Sequence, residues 1–184
     1  LRNAYTSRDH TNYIFDITHD AFKGGLDRLS QFFISPLFTQ KYTEREINAV
    51  HSEHQKNIEN DSWRHWHLRR TFFRKDHPAN HFSTGNQETL GGIQPDELLD
   101  FYRSSYSSDR MSLVLLGKVG VDSLETLART YFSPVPNRNL PTVQLDPDYL
   151  PPKETFRLLQ VEPVKDLRKL ELFFPMATFL DQFQ

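Results

Sequence analysis

No cysteine occurs among the 184 residues. That excludes a disulfide scaffold, thiolate metal ligation and a cysteine nucleophile, and it suits the cytoplasm and the periplasm equally. No apolar run approaches the roughly 20 residues a membrane-spanning helix needs, so no membrane partner is expected. An excess of one charge is also missing: 22 Lys and Arg face 24 Asp and Glu, a formal net charge of −2. Without a basic surplus, nucleic acid is not an expected partner either. The opening Leu1-Arg2 carries no secretory pattern and reads as the middle of a strand. Phosphate loops, dinucleotide fingerprints and nucleophile elbows are absent, and Gly117-Lys118-Val119-Gly120 has too few glycines to stand in for one.

What is present describes a globular chain. Hydrophobic residues make up 37% and charged residues 25%, and 15 Phe supply apolar area for a core. Tyr13, Phe15 and Ile17 alternate with polar neighbours, which with Asn3 to Ser7 and a turn at Arg8-Asp9-His10 predicts a β-hairpin. Phe22, Leu26, Leu29, Phe32 and Phe33 fall at helical spacing, with Asp20 as a candidate cap and Ser35-Pro36 as the stop. Gly24-Gly25 inside that helix predicts a close approach by another backbone. Thr43-Glu44-Arg45-Glu46 has the form of a capping box, and no Pro or Gly interrupts from there to Lys75. Arg69, Arg70, Arg74 and Lys75 at the far end read as a helix C-terminus. Further helices are expected from Pro95 through Tyr102 and from about Val121 to Tyr131, with a buried strand over Met111 to Gly117 between them. Pro136, Pro141, Pro147 and Pro151 mark a linker, and two strands are expected beyond it, Phe156–Val161 and Leu170–Phe174. The order of these elements predicts an α+β fold.

Candidate chemistry centres on Glu46 and Glu53. Seven residues apart on one helix, they lie nearly in line two turns apart. Glu46 could serve as a cap and Glu53 could sit on a solvated face, or the pair could bind a metal. His51 and His54 share a helix face but read as solvated side chains. His65 and His67 point to different faces and do not form a joint site. Neither His-Glu-x-x-His nor His-x-x-Glu-His occurs.

Several ordered segments resemble the insulinase/pitrilysin family of zinc metallopeptidases. They are Asn3 to Ser7 with Thr11 to Tyr13, Phe22 to Phe33 with Pro36 to Phe38, Arg45 to Asn57 with Asn60 to Arg64, His77-Pro78, and Gly85 to Leu90. The resemblance implies two-layer α/β modules, with helices on one face of a mainly antiparallel sheet. It implies a zinc held by two histidines of an inverted His-x-x-Glu-His helix and by a later glutamate, which matches Glu53. Glu46 matches a supporting acidic position. Asn3, Ala4, Tyr5 and Thr6 match the edge strand that aligns peptide substrates, although an interior hairpin is the plain alternative. Trp63 falls where the family places an aromatic near the cleft, with a core position as its alternative.

The departure from the family pattern is the inverted motif itself, which the resemblance places upstream of Leu1. The expectation is therefore a piece of a zinc metalloendopeptidase acting on peptides or small unfolded proteins, inactive alone and with an incomplete zinc site. The alternative is a non-catalytic family subunit that presents peptide. Residues 1–133 are expected to be the later part of the catalytic domain, 134–155 a linker and 156–184 the start of a second domain. Expected partners are peptides, the remaining domains of the parent chain and, for the piece alone, other copies of itself. Family resemblance leans the compartment toward the periplasm.

Overall fold

The alternating residues of the first stretch fold as a hairpin in the computed structural model of the chain, which describes residues 2–7, 9–144, 146, 148–151 and 157–174. Strand β1 (Arg2–Thr6) runs antiparallel to β2 (Thr11–Phe15), with Ala4 opposite Tyr13 and Thr6 opposite Thr11. Ser7 N donates to His10 O at 2.8 Å to close the turn. The period of two turns Tyr13 and Phe15 to one face and leaves Ile14 exposed on the other.

That face meets helix α1 (Phe22–Ile34). Tyr13 stands edge-on to Phe33 with ring centroids 5.3 Å apart. Gly25 lies under Phe15, where a Cβ would come within 2.8 Å of the Phe15 ring. The close approach expected at the glycine pair is thus made by a side chain, not a backbone, and only at Gly25, since a Cβ on Gly24 meets nothing. Asp20 does not cap α1; it sits in a 3-10 turn, His19–Ala21, that leads into it. Leu26 and Ser30 are fully buried on the inner side of α1.

Two later helices close over this core. Helix α5 (Pro95–Ser105) brings Tyr102, whose hydroxyl donates to Phe33 O at 2.5 Å and so satisfies a carbonyl of the last turn of α1. Helix α6 (Val121–Phe132) packs on α1, and Gly117 leaves room between Leu124 and Phe22.

A second packing group holds α2 (Gln40–Ile58), α3 (Asp61–Arg70) and the single turn α4 (Gln87–Leu90). Helix α2 begins four residues earlier than the capping-box reading predicts, with Thr39 at its N-cap and Thr43 buried inside it. The uninterrupted helix to Lys75 is also corrected. Asn60 breaks it, its side chain accepting from Ser62 N at 2.9 Å and Trp63 N at 3.3 Å to start α3 afresh.

The strand expected at Met111–Gly117 is not formed. A strand needs a neighbour to satisfy its backbone, and the described residues hold only the two-stranded sheet β1-β2. Val114 and Leu116 are instead 88% and 91% exposed. For the same reason no strand forms over residues 157–161 or Leu170–Phe174; Phe156, with the end of the chain from 175, lies outside the described residues. The stretch 157–174 lies along one side of α3. Asp61 accepts the Val164 and Lys165 amides at 2.8 and 3.1 Å, His65 Nε2 meets Glu171 Oε2 at 2.9 Å, and Arg69 sits 4.1 Å above the Phe173 ring. These three α3 residues are four apart, one stripe of the helix.

Candidate functional site

Glu46 and Glu53 both lie on α2, as their spacing requires, and helical geometry separates them by about 10 Å along one side of the axis. Both are exposed, and neither makes a hydrogen bond or ion pair with a described residue. A carboxylate free of protein partners on a helix surface is available to a ligand approaching from outside. It is equally at ease in water, so exposure alone assigns it no task.

The histidines around them are engaged. His51 Nδ1 accepts from Gln87 N at 3.3 Å, which fastens α4 to α2. His54 turns into an aromatic cluster with His67 and Phe82, at centroid distances of 6.3 and 5.2 Å. His54 is therefore a packing residue and His51 a hydrogen-bonded, half-buried one, and neither is the solvated side chain expected of a charged helix. His65 and His67 point to opposite sides of α3, as their spacing of two predicts: His65 to Glu171 and Phe173, His67 to His54 and Phe82.

Trp63, on the first turn of α3, is 38% exposed. Its indole stands edge-on to Trp66 at 5.9 Å and tilts over His67 at 6.4 Å. It thus has one side in the α2–α3 cluster and one side open. Asn3, Ala4, Tyr5 and Thr6 are exposed along β1, and the edge of β1 away from β2 pairs with no described strand. Asn3 Oδ1 accepts from Ala4 N at 3.0 Å. Helix α2 packs mainly on α3 and α4, and β1 on β2, so the structure brings the carboxylates and Trp63 into one packing group and the strand residues into another.

Structural and catalytic zinc sites take three or four protein ligands. No group of three or more His, Asp or Glu able to hold a metal occurs among the described residues. Glu53 is one suitable donor, so these residues by themselves do not fit the ion.

Two features escaped the sequence reading. One is the strip Asp61–His65–Arg69 that carries residues 157–174. The other is Arg70, whose guanidinium meets His67 Nδ1 at 2.5 Å and stacks over Trp66 at 4.9 Å. His67 and Arg70 are three apart on a helix, a pairing that spacing alone makes available. No helix among the described residues is long and apolar enough to cross a membrane.

Comparison with known proteins places this geometry in context. Residues 2–82 match the sequence profile described as insulinase (peptidase family M16), and residues 92–183 match the profile described as the peptidase M16 inactive domain. The putative zinc protease mug138 of Schizosaccharomyces pombe is 42% identical over 184 residues, which cover 96% of this chain and 19% of that protein. The insulin-degrading enzyme of Homo sapiens is 41% identical over 175 residues, covering 91% of this chain and 17% of that protein. The crystal structure of pitrilysin superposes with a TM-score of 0.77 at 29% identity, over 82% of this chain and 16% of that one. The chain thus spans about a fifth of the length of the curated relatives it matches.

Proposed function

The chain belongs to the insulinase family of peptidases, and we propose that it supplies the third zinc ligand and the substrate-aligning strand of a zinc metalloendopeptidase. Glu53 is the ligand in this reading, with Glu46 supporting it from two turns away on the same helix. The two histidine ligands would come from polypeptide outside these 184 residues, because the sequence holds no His-x-x-Glu-His. The observation that carries the reading is the pair of exposed carboxylates in line on α2, without a partner among the described residues, within the segment Arg45 to Arg64 that resembles the family's glutamate helix.

The chain's own contribution to substrate handling follows from backbone chemistry. The outer edge of β1 faces no described strand, and an extended peptide could lie alongside it, bonding the outward C=O groups and the N–H groups of Arg2 and Thr6 and displacing Asn3 Oδ1 from the Ala4 N–H. Side chains of Asn3, Ala4, Tyr5 and Thr6 would flank that peptide, and the open side of Trp63, in the other packing group, would offer substrate a separate apolar contact. Peptides and small unfolded proteins fit this mode, since only an extended backbone can add to a strand edge. We place the later part of the catalytic domain at 1–133, the linker at 134–155 and the start of a second domain at 156–184; the packing of α6 on α1 supports keeping both helices in one unit.

The test is Glu53→Gln in the full-length protein that contains this chain. Loss of stoichiometric zinc and of peptide cleavage, with the fold retained, is expected. Wild-type zinc affinity and cleavage in that variant would favour the alternative, a non-catalytic family subunit that presents peptide. The 184 residues alone are expected to show no peptidase activity and only weak zinc uptake.

A further inference from the structure

The closed end of the hairpin carries three polar side chains in series. Asp9 Oδ1 lies 2.7 Å from His10 Nδ1, and His10 Nε2 lies 3.3 Å from the Tyr5 hydroxyl. A carboxylate can only accept, so Nδ1 carries a proton and donates to Asp9. In the neutral ring Nε2 then accepts from the Tyr5 hydroxyl; in a doubly protonated ring it donates to that oxygen instead. The hydroxyl serves in either role, so the contact does not depend on the form of the imidazole. The Tyr5 and His10 rings also meet edge to face, with centroids 5.6 Å apart and an interplanar angle of 81°. Among the described residues, His10 is the hydrogen-bond and ring partner that Tyr5 has.

The register says which way this turns Tyr5. Tyr5 pairs with Asn12, and Ser7 meets His10 through the hydrogen bond that closes the turn. Side chains two apart along a strand share a face. Tyr5, Asn12 and His10 therefore stand on the face that exposes Ile14, opposite the one packed on α1. His10 is thus the diagonal neighbour of Tyr5 on the β2 side. Reaching it carries the Tyr5 ring across the hairpin, away from the edge of β1 that faces no described strand.

We infer that His10, oriented by Asp9, is a positioning residue for the substrate strand: it holds the Tyr5 ring over β2 and keeps the space beside the free edge of β1 open to the side chains of an incoming peptide. The inference rests on reading β1 as the substrate-aligning strand. Asp9 and His10 bond no peptide in this arrangement; what they contribute is the direction of Tyr5. A released ring is free to fold over the edge, and binding then weakens by the fraction of time the edge is covered.

The probe is a fluorescein-labelled decapeptide of alternating Ser and Val, followed by anisotropy with the full-length protein in chelator, so that cleavage does not intervene. His10→Ala and Tyr5→Phe should each weaken binding about fivefold, the size of one hydrogen bond, and the two together no more than either alone. Tyr5→Ala in the His10→Ala background should restore binding to near wild type, because no ring remains to cover the edge. General damage to the hairpin would persist in that double variant, so a failure to restore binding would overturn the inference. Wild-type binding by His10→Ala would overturn it too. A fully N-methylated copy of the decapeptide, which has no N–H to offer a strand edge, tests the underlying reading separately. If wild type binds neither peptide, or binds both equally, the edge reading fails and this inference with it. If it binds the plain peptide alone and His10→Ala changes nothing, the role of His10 fails and the edge stands.

Discussion

Asp61 Oδ1 accepts the Val164 amide at 2.8 Å, joining the first turn of α3 to a segment one hundred and three residues later. The Val164 amide is the main reason the Asp61 carboxyl is held below its usual range, with the Lys165 amide and Arg64 adding to it. A carboxylate depressed in the folded state stabilises this contact above the unfolded-state value, and the contribution is lost as pH falls through the folded one. Asp61→Ala should therefore speed proteolytic cleavage within residues 157–174 at neutral pH, and acid should do the same to the wild type. Mapping the first cuts by mass spectrometry checks both; cleavage that begins elsewhere in both cases would refute the attachment.

Glu46 and Glu53 give a contrast between stability and function. Exposed and without a partner among the described residues, each should tolerate a change to Gln with an effect on folding stability within about 0.5 kcal/mol. In the full-length protein the two should diverge. Under the proposed assignment, Glu53→Gln removes a ligand and should abolish tight zinc binding, whereas Glu46→Gln should weaken zinc binding or activity by about 10–100-fold, as loss of a supporting group does. Urea melts of the chain and zinc titration of the full-length protein would reveal whether the two glutamates differ in this way.

The hydroxyls of Tyr13 and Tyr106 lie 2.7 Å apart, across the seam between β2 and the end of α5. Burial, with the Tyr106 contact, pushes the Tyr13 phenol well above its ordinary value. The neutral phenol is the stabilised form, so its contribution is present below the unfolded tyrosine value and lost as pH rises through the folded one. Tyr106→Phe should cost about 1 kcal/mol. It should also return the late-titrating phenol toward the others in an ultraviolet difference titration. An unchanged titration curve would show that the pair is not formed.

His67 predicts acid sensitivity in the α2–α3 pair. Its folded value is depressed by burial, so the unfolded chain takes up a proton first as pH falls. Stability should be flat above the ordinary histidine range and decline as pH drops toward and through the lowered folded value. His67→Gln should remove that part of the slope. Equal slopes for variant and wild type between neutral and mildly acid pH would locate the sensitivity elsewhere.

The parts of the fold that were legible in the sequence are those whose partners are local or whose apolar face is wide. The hairpin, α1, α5 and α6 all carry a clear period and a stop signal, and each forms where that pattern lies. The start of α2 was misplaced because Thr43-x-x-Glu46 mimics a cap, while Thr43 is in fact buried one turn inside. The break at Asn60 was readable in principle, since Asn-Asp-Ser is a good helix opening, but no Pro or Gly announced it. Met111–Gly117 shows the opposite limit: strand-forming residues state a preference, and only a neighbouring backbone turns it into a strand. At the site, the sequence placed Glu46 and Glu53 on one helix side but gave no hint that both stand free. The His67–Arg70 contact depends on which way α3 faces α2, which spacing leaves undetermined.

The seam between the two family profiles falls at residues 83–91, yet the three-dimensional weave runs straight across it. Tyr13 to Tyr106, Phe33 to Tyr102 and α1 to α6 all stitch the first stretch to the second. A single proteolytic nick before α4, within residues 83–86, would therefore yield two peptides that remain clasped, migrating together until denaturant parts them. The inherited module and the mechanical unit of this protein have different edges.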